Sequence, residues 1–337
     1  MSKPPRVPTL RDVAGKAGVS SATASYVLHG RRGGADRVSN DTRQLVLAAV
    51  AELGYVPNQI ARHLRRRRTE RVCLVVPRLG SPYWEALAGD LQSGADAHGY
   101  SMIVAIAGSL ARERMVLDQL RRRLADGVII SPRYADEADL ASLPQAGLAV
   151  VVIANHLTPQ GCDIVRTTES QACHEAMLYL LGKGHRRIAF LGHFSDERRP
   201  YERYESYCQA LQEHGLFHED LVRNGADSRN VSYLGTQSLL QGADPPTAIM
   251  AASDIAAVSA ILAIRDAGKC VPTDVAVIGV GNVPEGLMAL PPLTTVGTTS
   301  LDFSDVSSLL FTRLADEVPP PGRVVVRQWT VIHRASA

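Results

Sequence analysis

The stretch that decides the fold runs from Thr9 to Leu28 and reads T-L-R-D-V-A-G-K-A-G-V-S-S-A-T-A-S-Y-V-L. Thr9 and Asp12 have the spacing of a capping box, which predicts the start of a first helix. Gly18 favours the left-handed backbone that ends a helix, and Ser20 is a typical N-cap for a second one. Two short helices around a tight turn are typical of a helix-turn-helix, although an ordinary helical hairpin has the same local pattern.

The charge distribution along the chain favours the DNA-binding interpretation. Residues 1–71 hold 14 Lys and Arg against 5 Asp and Glu, a net charge of +9, while the other 266 residues hold 22 basic and 29 acidic groups. The small total of +2 therefore hides a strong asymmetry between the two parts of the chain. A small basic module joined to a mildly acidic body is typical of nucleic-acid binding. A solvated basic tail is the alternative, but helix caps and apolar periodicity fit a tail poorly.

A third helix is predicted after the first two. Ser39 is its expected N-cap and Gly54 its expected end. The spacing of its apolar residues predicts a buried stripe, which consists of Leu45, Val46, Ala49, Val50 and Leu53. The loop from Gly30 to Ala35 that precedes this helix is basic and glycine-rich, which suits contact with a phosphate backbone.

A short helix and a basic run are predicted to follow the third helix. Pro57 breaks the chain, and Asn58 is a candidate cap for the short helix. The run Arg65–Arg68 would usually be a solvated charge block. Because it directly follows a DNA-binding module, we interpret it as a phosphate-contacting segment.

The segment from Thr9 to Leu64 resembles the DNA-binding headpiece of the LacI/GalR family of bacterial transcriptional regulators. The resemblance rests on T-L-R-D-V-A, A-G-V-S, R-V-S-N-D-T-R, E-L-G-Y-V-P-N and A-R-H-L, which occur in the right order and spacing. It implies that Ser21, Ala22 and Tyr26 occupy the base-reading positions of the recognition helix. Ser21 and Ala22 are small, so much of the direct readout falls on Tyr26.

The same resemblance implies the other DNA contacts. The segment Asn58 to Arg65 would be a hinge helix that enters the minor groove, with Leu64 as an apolar wedge between base steps. Phosphate contacts would come from Thr9, Thr23, Ser25 and Asn40. The complete set of candidate DNA-contacting residues is Thr9, Ser20, Ser21, Ala22, Thr23, Ser25, Tyr26, His29, Asn40, Asn58, Ala61, Arg62, Leu64 and Arg65.

The remaining chain predicts a large α/β domain. Apolar, β-branched runs alternate with helical stretches, first at V-C-L-V-V, M-I-V-A-I, G-V-I-I and A-V-V-V-I, then at R-I-A-F-L, T-A-I-M and V-A-V-I-G. This pattern predicts two doubly wound parallel sheets, each covered on both faces by helices. A ligand is expected between the two lobes, at the carboxyl ends of the strands.

This part of the chain resembles the family's effector domain, which is itself similar to the periplasmic sugar-binding proteins. The resemblance implies an effector pocket made of Tyr83, Trp84, Arg133, Asn155, Arg203, Asp254 and Asn282. Tyr83 and Trp84 match an aromatic position that stacks on a ring-shaped ligand, although simple packing between lobes is the alternative. Arg203 matches the family's ligand-gripping arginine.

Several positions depart from the family pattern. Ala154, Thr167, Thr168 and Gly281 stand where carboxylates or amides are common, and sugar recognition relies on carboxylates as hydroxyl acceptors. Arg133, Arg166 and Arg203 are expected to make the pocket positive. We therefore hypothesise an effector other than a plain neutral sugar, namely an anionic or aromatic metabolite. An alignment slip or a decayed pocket is the alternative.

Motifs of other protein classes are absent from the sequence. The glycines from Gly279 to Gly286 lack dinucleotide-site spacing, and there is no Walker loop, G-x-S-x-G elbow or C-x-x-C pair. We expect no enzymatic activity, no cofactor and no metal, including at Cys173 and His174. The five cysteines are expected to be free thiols in a reducing cytosol. Without a long apolar N-terminal segment, no signal peptide or membrane span is expected.

Taken together, these patterns predict three regions: a headpiece over 1–57, a hinge helix with a basic linker over 58–70, and a two-lobed effector and dimerisation domain over 71–337. The expected protein is a cytoplasmic, sequence-specific regulator. As a homodimer it would bind palindromic operator DNA under the control of a small-molecule effector. Because the chain ends soon after Ile332, we expect a dimer rather than a tetramer. The alternatives are a ligand-binding protein with weak or non-specific DNA binding and an enzyme fused to a DNA-binding module.

Overall fold

The computed structural model of the chain describes residues 8–29, 38–56, 68–193, 202–224, 228–316 and 321–337. The chain divides into two compact units, Met1–Thr69 and Glu70–Ala337. The described residues of the first unit form helices and the second unit contains two parallel-sheet α/β lobes, so the predicted fold class is confirmed. None of the helices among the described residues is both long enough and apolar enough to cross a bilayer.

The first unit begins with the predicted capping box. The Thr9 N–H donates to Asp12 Oδ2 at 2.8 Å, and the Asp12 N–H donates back to Thr9 Oγ1 at 3.4 Å. Gly18 has a φ of 67°, and Ser20 Oγ accepts the Thr23 N–H at 3.0 Å, so the turn and the second cap are also confirmed. In the part of this unit that the structure describes, the helices are α1 (Leu10–Lys16), α2 (Ser21–His29) and α3 (Asn40–Leu53).

One part of the predicted α3 stripe is wrong. Val46 and Ala49 are buried in the core of this unit, with Val50 and Leu53 packed beside them, but Leu45 is 56% exposed. Positions 46, 49, 50 and 53 follow the i, i+3, i+4, i+7 spacing of one helix face, and Leu45 lies about 100° away from it. The predicted cap at Ser39 and the left-handed end at Gly54, with φ 58°, are confirmed.

The second unit contains two six-stranded sheets. The first sheet has the order β11-β5-β4-β3-β1-β2 and is entirely parallel. The second has the order β12-β10-β9-β8-β6-β7, in which only β12 is antiparallel to its neighbour. The strands are β1 (Arg71–Val76), β2 (Ser101–Ile106), β3 (Gly127–Ile130), β4 (Ala149–Ile153), β5 (Asp163–Thr167), β6 (Ile188–His193), β7 (Val222–Asn224), β8 (Ala248–Ala251), β9 (Ala276–Val280), β10 (Thr294–Gly297), β11 (Val324–Arg327) and β12 (Thr330–Ile332).

Helices cover both faces of each sheet. Strands such as β1 and β9 are almost wholly buried, which explains why they are near-continuous apolar runs. A one-turn 3-10 helix covers Glu219–Leu221. The α-helices are α4 (Pro82–His98), α5 (Leu110–Arg121), α6 (Glu137–Gln145), α7 (Glu169–Gly182), α8 (Glu202–Glu213), α9 (Arg229–Leu240), α10 (Asp254–Asp266), α11 (Pro284–Met288) and α12 (Ser304–Ala315).

The chain passes three times between the lobes. It leaves the first lobe after β5, returns after β10 so that α12 packs on α4, and leaves again between β11 and β12. All seven strands predicted from apolar runs are present. The sequence reasoning did not predict the three crossings or the return of β11 to the first sheet, because each depends on a pairing distant in sequence.

Candidate functional site

The candidate DNA-binding surface is one face of α2. Ala24 is fully buried against the core of the first unit, while Ala22 and Tyr26 are exposed on the opposite side and Ser21 is exposed at the start of the helix. Tyr26 is 45% exposed although it is a large aromatic residue. A short helix that buries one alanine and exposes a tyrosine with small neighbours presents a surface able to approach base edges closely.

Candidate phosphate contacts lie at the helix N-termini of the first unit. Thr9 caps α1, Ser20 precedes α2, and Asn40 is the first residue of α3. A helix N-terminus offers unpaired backbone N–H groups and a partial positive charge, which favour a phosphate. The Ser20 and Thr23 hydroxyls also bond to each other at 2.8 Å, so in this structure they complete the α2 cap.

One further predicted DNA contact, Ser25, lies on α2 and is partly exposed. The side chain of His29 lies outside the described residues, as do all residues of the expected hinge helix. Those hinge residues are Asn58, Ala61, Arg62, Leu64 and Arg65.

The second candidate site is a cavity of about 530 Å³ between the two lobes. Residues that follow β1, β3, β4, β8 and β9 line it, so it lies at the carboxyl ends of the strands, as parallel sheets favour. Its volume falls within the range of small-molecule sites. Six of the seven predicted effector residues line it, namely Tyr83, Trp84, Arg133, Asn155, Arg203 and Asp254.

Asn282 is the seventh predicted residue, and the structure does not bring it to the cavity. Its Nδ2 donates to the Thr298 carbonyl at 2.6 Å, and its Oδ1 accepts from Arg334 Nη2 at 2.6 Å. The φ of 51° at Asn282 turns the chain so that Gly281 and Val283, but not Asn282, line the cavity. Its amide joins two segments of the second lobe.

An aromatic group forms one wall of the cavity. The Tyr83 ring meets Trp84 and Phe303 edge to face, each at a centroid distance of 4.8 Å, and Trp329 lies 6.3 Å away. Burial raises the pKa of the Tyr83 phenol, so it stays neutral. Tyr83 thus packs between the lobes, as one interpretation of the sequence expected, and it also lines the cavity. Trp84 and Trp329 are the only two tryptophans of the chain, and both line this cavity.

Arg203 lies on α8 at the centre of a polar group. Its Nε donates to Glu169 and its Nη1 to the Ala252 carbonyl, while its guanidinium carbon lies 5.8 Å from the centroid of the Trp329 ring. A guanidinium held by a carboxylate and an aromatic face has little rotational freedom. The predicted arginine is therefore at the cavity, already oriented by Glu169 and Trp329.

The described part of the lining does not carry the net positive charge that the sequence predicted. Among the described residues, three arginines and three carboxylates line the cavity, namely Arg78, Arg133, Arg203, Glu169, Glu202 and Asp254. Arg166 does not line the cavity, and its Nη2 donates to Thr158 Oγ1 at 2.9 Å. Glu169 and Glu202 were not predicted, because they lie outside the positions at which the family commonly has carboxylates.

Each of the three carboxylates already accepts hydrogen bonds from the protein. Glu169 accepts from Arg203, and Glu202 Oε2 accepts from Asn155 Nδ2 at 2.6 Å. Asp254 accepts from the Val283 N–H at 2.8 Å and from the Thr295 hydroxyl. A side chain at Gly279 would overlap the Asp254 carboxylate, so glycine is needed there.

Six ionisable or aromatic lining residues were not predicted from the sequence. These are Arg78, Tyr134, His156, Glu169, Glu202 and Trp329. Arg78, Tyr134 and His156 come within four residues of a predicted strand end, so their position was a usable signal. Trp329 had no such signal, because it lies in the third crossing. Of the positions that depart from the family pattern, three line the cavity, namely Ala154, Thr167 and Gly281. Thr168 does not line it, and its hydroxyl accepts the Trp329 N–H at 2.8 Å.

Burial of Asp254 leads to a testable pH dependence. Burial raises its pKa from the ordinary 3.8 to about 6, even though bonds from Thr295 and Val283 oppose the rise. Because the folded state holds this proton more tightly than the unfolded state, Asp254 lowers stability progressively as the pH rises from about 4 to about 6. Asp254→Asn removes this titration and keeps both hydrogen bonds possible. We expect its free energy of unfolding, relative to the parent, to increase by up to about 3 kcal/mol between pH 4 and pH 7.

Urea denaturation of both proteins at pH 4, 5, 6 and 7 measures this difference. Thr295→Val, which removes one bond to the carboxylate but leaves Asp254 ionisable, is the matched control and should retain the pH dependence. A difference between Asp254→Asn and the parent that stays constant with pH would contradict the raised pKa.

The fold and the two sites define a class of protein in which a DNA-binding headpiece precedes a two-lobed ligand-binding domain. The description "Bacterial regulatory proteins, lacI family" matches residues 9–58, and "Periplasmic binding proteins and sugar binding domain of LacI family" matches residues 69–313. This chain belongs to the LacI family and is a transcriptional regulator with a sugar-binding-like effector domain.

Known relatives match this chain over nearly its whole length. The HTH-type transcriptional regulator CelR of Thermobifida fusca is 30% identical, with 98% of each sequence covered. A transcriptional regulator CelR–cellobiose complex is 29% identical with a TM-score of 0.67, covering 98% of this chain and 100% of that one. A LacI-family regulator from Silicibacter pomeroyi is 26% identical with a TM-score of 0.84, covering 98% and 99%.

Proposed function

We propose that this chain is a repressor that binds a palindromic operator as a homodimer, with its affinity controlled by a small molecule bound between the lobes. One observation carries the proposal. The same chain contains a capped helix with an exposed Tyr26 and, in its second unit, a cavity of about 530 Å³ lined by six predicted effector residues. The proposed boundaries are a headpiece to residue 57, a hinge to 70 and an effector domain beyond, acting in the cytoplasm.

The proposed control works through the relative angle of the two lobes. A ligand that contacts residues of both lobes stabilises one angle, and in a dimer this angle sets the distance between the two hinge segments. Hinge helices then form or melt, and operator affinity changes by a coupling energy of about 1–3 kcal/mol. The lining supports this mechanism because it contains residues of both lobes, for example Trp84 of the first lobe and Asp254 of the second.

The first experiment is selection of DNA fragments by the full chain at near-physiological salt, followed by sequencing. Enrichment of a short palindrome supports the proposal. Retention of DNA without a common sequence would instead favour the second candidate, a ligand-binding protein with non-specific DNA binding, which the basic composition of residues 1–71 also allows.

The two tryptophans offer a direct assay for the effector. Since both line the cavity, a ligand that enters it should change the tryptophan emission of the whole protein. We propose a panel of cellobiose, glucose and ribose as neutral sugars, with citrate and 4-hydroxybenzoate as anions. Trp84→Phe and Trp329→Phe then assign any response to one of the two tryptophans. Operator binding repeated with the active compound distinguishes inducer from corepressor.

The class of effector is proposed from the charged and aromatic side chains of the lining. Arg78, Arg133 and Arg203 line the cavity, and Tyr83, Trp84 and Trp329 add aromatic rings. Guanidinium groups attract anions and aromatic rings stack on other rings, so this lining favours an anionic or aromatic metabolite. Calorimetry in which a neutral sugar binds tightly and the organic anions do not would overturn this choice and favour a sugar.

Support for the dimer comes from apolar side chains on three packed helices of the second lobe. Val231 and Leu234 lie on α9, Leu262 on α10 and Met288 at the end of α11, where Met288 is 84% exposed. The α9 helix packs on α10, and α10 packs on α11. Exposed apolar side chains on adjoining elements are typical of an interface with another chain.

This surface gives a prediction about assembly. Met288→Asp places a charge where a partner would bury an apolar side chain, so we expect a tenfold or greater weakening of the dimer, since such a side chain contributes about 1.5–3 kcal/mol. Sedimentation over a range of concentrations measures it. Leu178→Asp, on the exposed side of α7, is the control and should leave the dimer intact. An unchanged dimer in Met288→Asp would exclude Met288 from the interface.

A second prediction concerns the proposed wedge. Leu64→Ala should weaken operator binding about tenfold or more, because an alanine cannot hold a base step open at the centre of the operator. Leu64→Met keeps the apolar volume and should retain most of the affinity. Fluorescence anisotropy with the selected palindrome measures both variants. Equal binding by parent and alanine variant would remove Leu64 from the wedge role.

A further inference from the structure

Glu113 is a buried carboxylate that contacts the segment after β3. It lies in the first turn of α5 and is only 1% exposed, although glutamate is rarely buried to this degree. Its Oε2 accepts the N–H of Arg133 at 2.9 Å, and its Oε1 accepts the N–H groups of Tyr134 and Ala135 at 2.9 and 2.6 Å. One side chain therefore binds three consecutive backbone donors that lie 20 to 22 residues away in sequence.

These three donors belong to the segment that forms the first-lobe wall of the cavity. The segment follows β3, is neither helix nor strand, and contributes Ser131 through Tyr134 to the lining. The Arg133 guanidinium carbon lies 5.9 Å from the centroid of the Tyr134 ring. Since regular secondary structure does not hold this segment, a charge-assisted set of bonds from Glu113 has a large share in determining where Arg133 and Tyr134 lie.

We propose that Glu113 is a positioning residue of the effector site, which fixes the Arg133–Tyr134 wall before any ligand enters. This inference rests on the proposed function, in which the cleft binds a small molecule. A wall that is already ordered loses less conformational entropy on binding, so the ligand binds more tightly than it would to a mobile segment. Glu113 itself does not line the cavity and acts through the backbone it holds.

The geometry requires a carboxylate at this position. A glutamine of the same size has one acceptor oxygen, and its amide nitrogen is a donor. In Glu113→Gln, at least one of the three N–H groups would therefore face another donor. Glu113→Asp keeps the charge but shortens the side chain by one methylene group, so it should hold fewer of the three donors.

The experiment measures amide hydrogen exchange on the full chain without ligand. We expect Glu113→Gln to accelerate exchange at residues 133–135 at least tenfold, with no change at Val72–Val76 of β1. Glu137→Gln is the matched control, because Glu137 Oε1 accepts a single backbone N–H, from Thr158 at 2.7 Å. Unchanged exchange at 133–135, or equal acceleration in β1, would overturn the proposal. If Glu113→Gln does not fold, the same criteria apply to Glu113→Asp.

A binding measurement completes the test. Whichever of cellobiose, glucose, ribose, citrate or 4-hydroxybenzoate changes the tryptophan emission of the parent is titrated into each variant. We expect the Kd to rise at least fivefold in Glu113→Gln and to be unchanged in Glu137→Gln. Accelerated exchange with unchanged affinity would overturn the positioning role. If no compound on the panel binds the parent, that result counts against the proposed effectors, and the exchange data alone decide the role of Glu113.

Discussion

Replacing Tyr26 with alanine is expected to abolish most of the sequence preference of this regulator and to leave its general affinity for DNA nearly intact. Tyr26 is the large exposed side chain on the α2 face opposite buried Ala24, and its neighbours Ser21 and Ala22 are small. A good base contact discriminates by about 1–3 kcal/mol, and a dimer would make two. We therefore expect specific affinity to fall about 30-fold or more.

The measurement is a pair of titrations at the same salt concentration, one with the selected palindrome and one with DNA of scrambled sequence. Tyr26→Phe separates the ring from the hydroxyl, because it retains contact with thymine methyl groups. Leu45→Ala, also exposed but on α3, is the control for general effects on the headpiece. An equal loss on both DNAs would make Tyr26 a backbone contact and would shift base reading to Ser21 and Ala22.

Asp163→Asn is expected to have the largest effect on stability. Asp163 is fully buried at the start of β5, where it accepts from Arg313 Nη1 at 2.9 Å and from Arg323 Nη2 at 2.7 Å. Burial alone would raise its pKa, but the hydrogen bonds from Arg323 and the charge of Arg313 hold the pKa below its usual value. Without this carboxylate, Arg313 would remain buried and uncompensated, which costs about 3–5 kcal/mol.

Urea denaturation at pH 7 tests this expectation. Asp139→Asn is the matched control, because Asp139 pairs with Arg121 at 3.2 Å near the surface and should contribute less than about 1 kcal/mol. Since the pKa of Asp163 is lowered in the folded state, its contribution is present above the unfolded pKa and is lost as the pH falls through the folded value. The parent and Asp163→Asn should thus converge in acid. A loss below about 1 kcal/mol at pH 7 would show that Arg313 finds another partner.

The Asp163 cluster connects parts of the first lobe that are distant in the chain. Asp163 begins β5, Arg313 lies on α12 and Arg323 directly precedes β11. Two crossings between the lobes separate β5 from α12 and β11 along the chain. The Asp163 carboxylate binds side chains from both of these later segments. The sequence alone contains no short-range signal for this ion pair, since its members are 150 and 160 residues apart.

The headpiece and the strands could be predicted from sequence because their signals are local. The capping box at Thr9 and Asp12, the cap at Ser20 and the left-handed Gly18 each depend on neighbours within three or four residues. Apolar runs likewise mark strands that are buried on both faces. Leu45 was misassigned because a helix stripe is determined to within one residue only when its partner surface is known.

The sequence by itself therefore determined the class of protein, the order of its two parts, the helix-turn-helix and six of the residues that line the cleft. Only the tertiary structure decided the three crossings, the position of Trp329, the presence of Glu169 and Glu202 at the cavity and the removal of Asn282 from it. The physical reason is that caps, turns and strand burial are local preferences. The walls of a cavity between lobes depend instead on contacts between segments far apart in the chain, whose pairing no local pattern encodes.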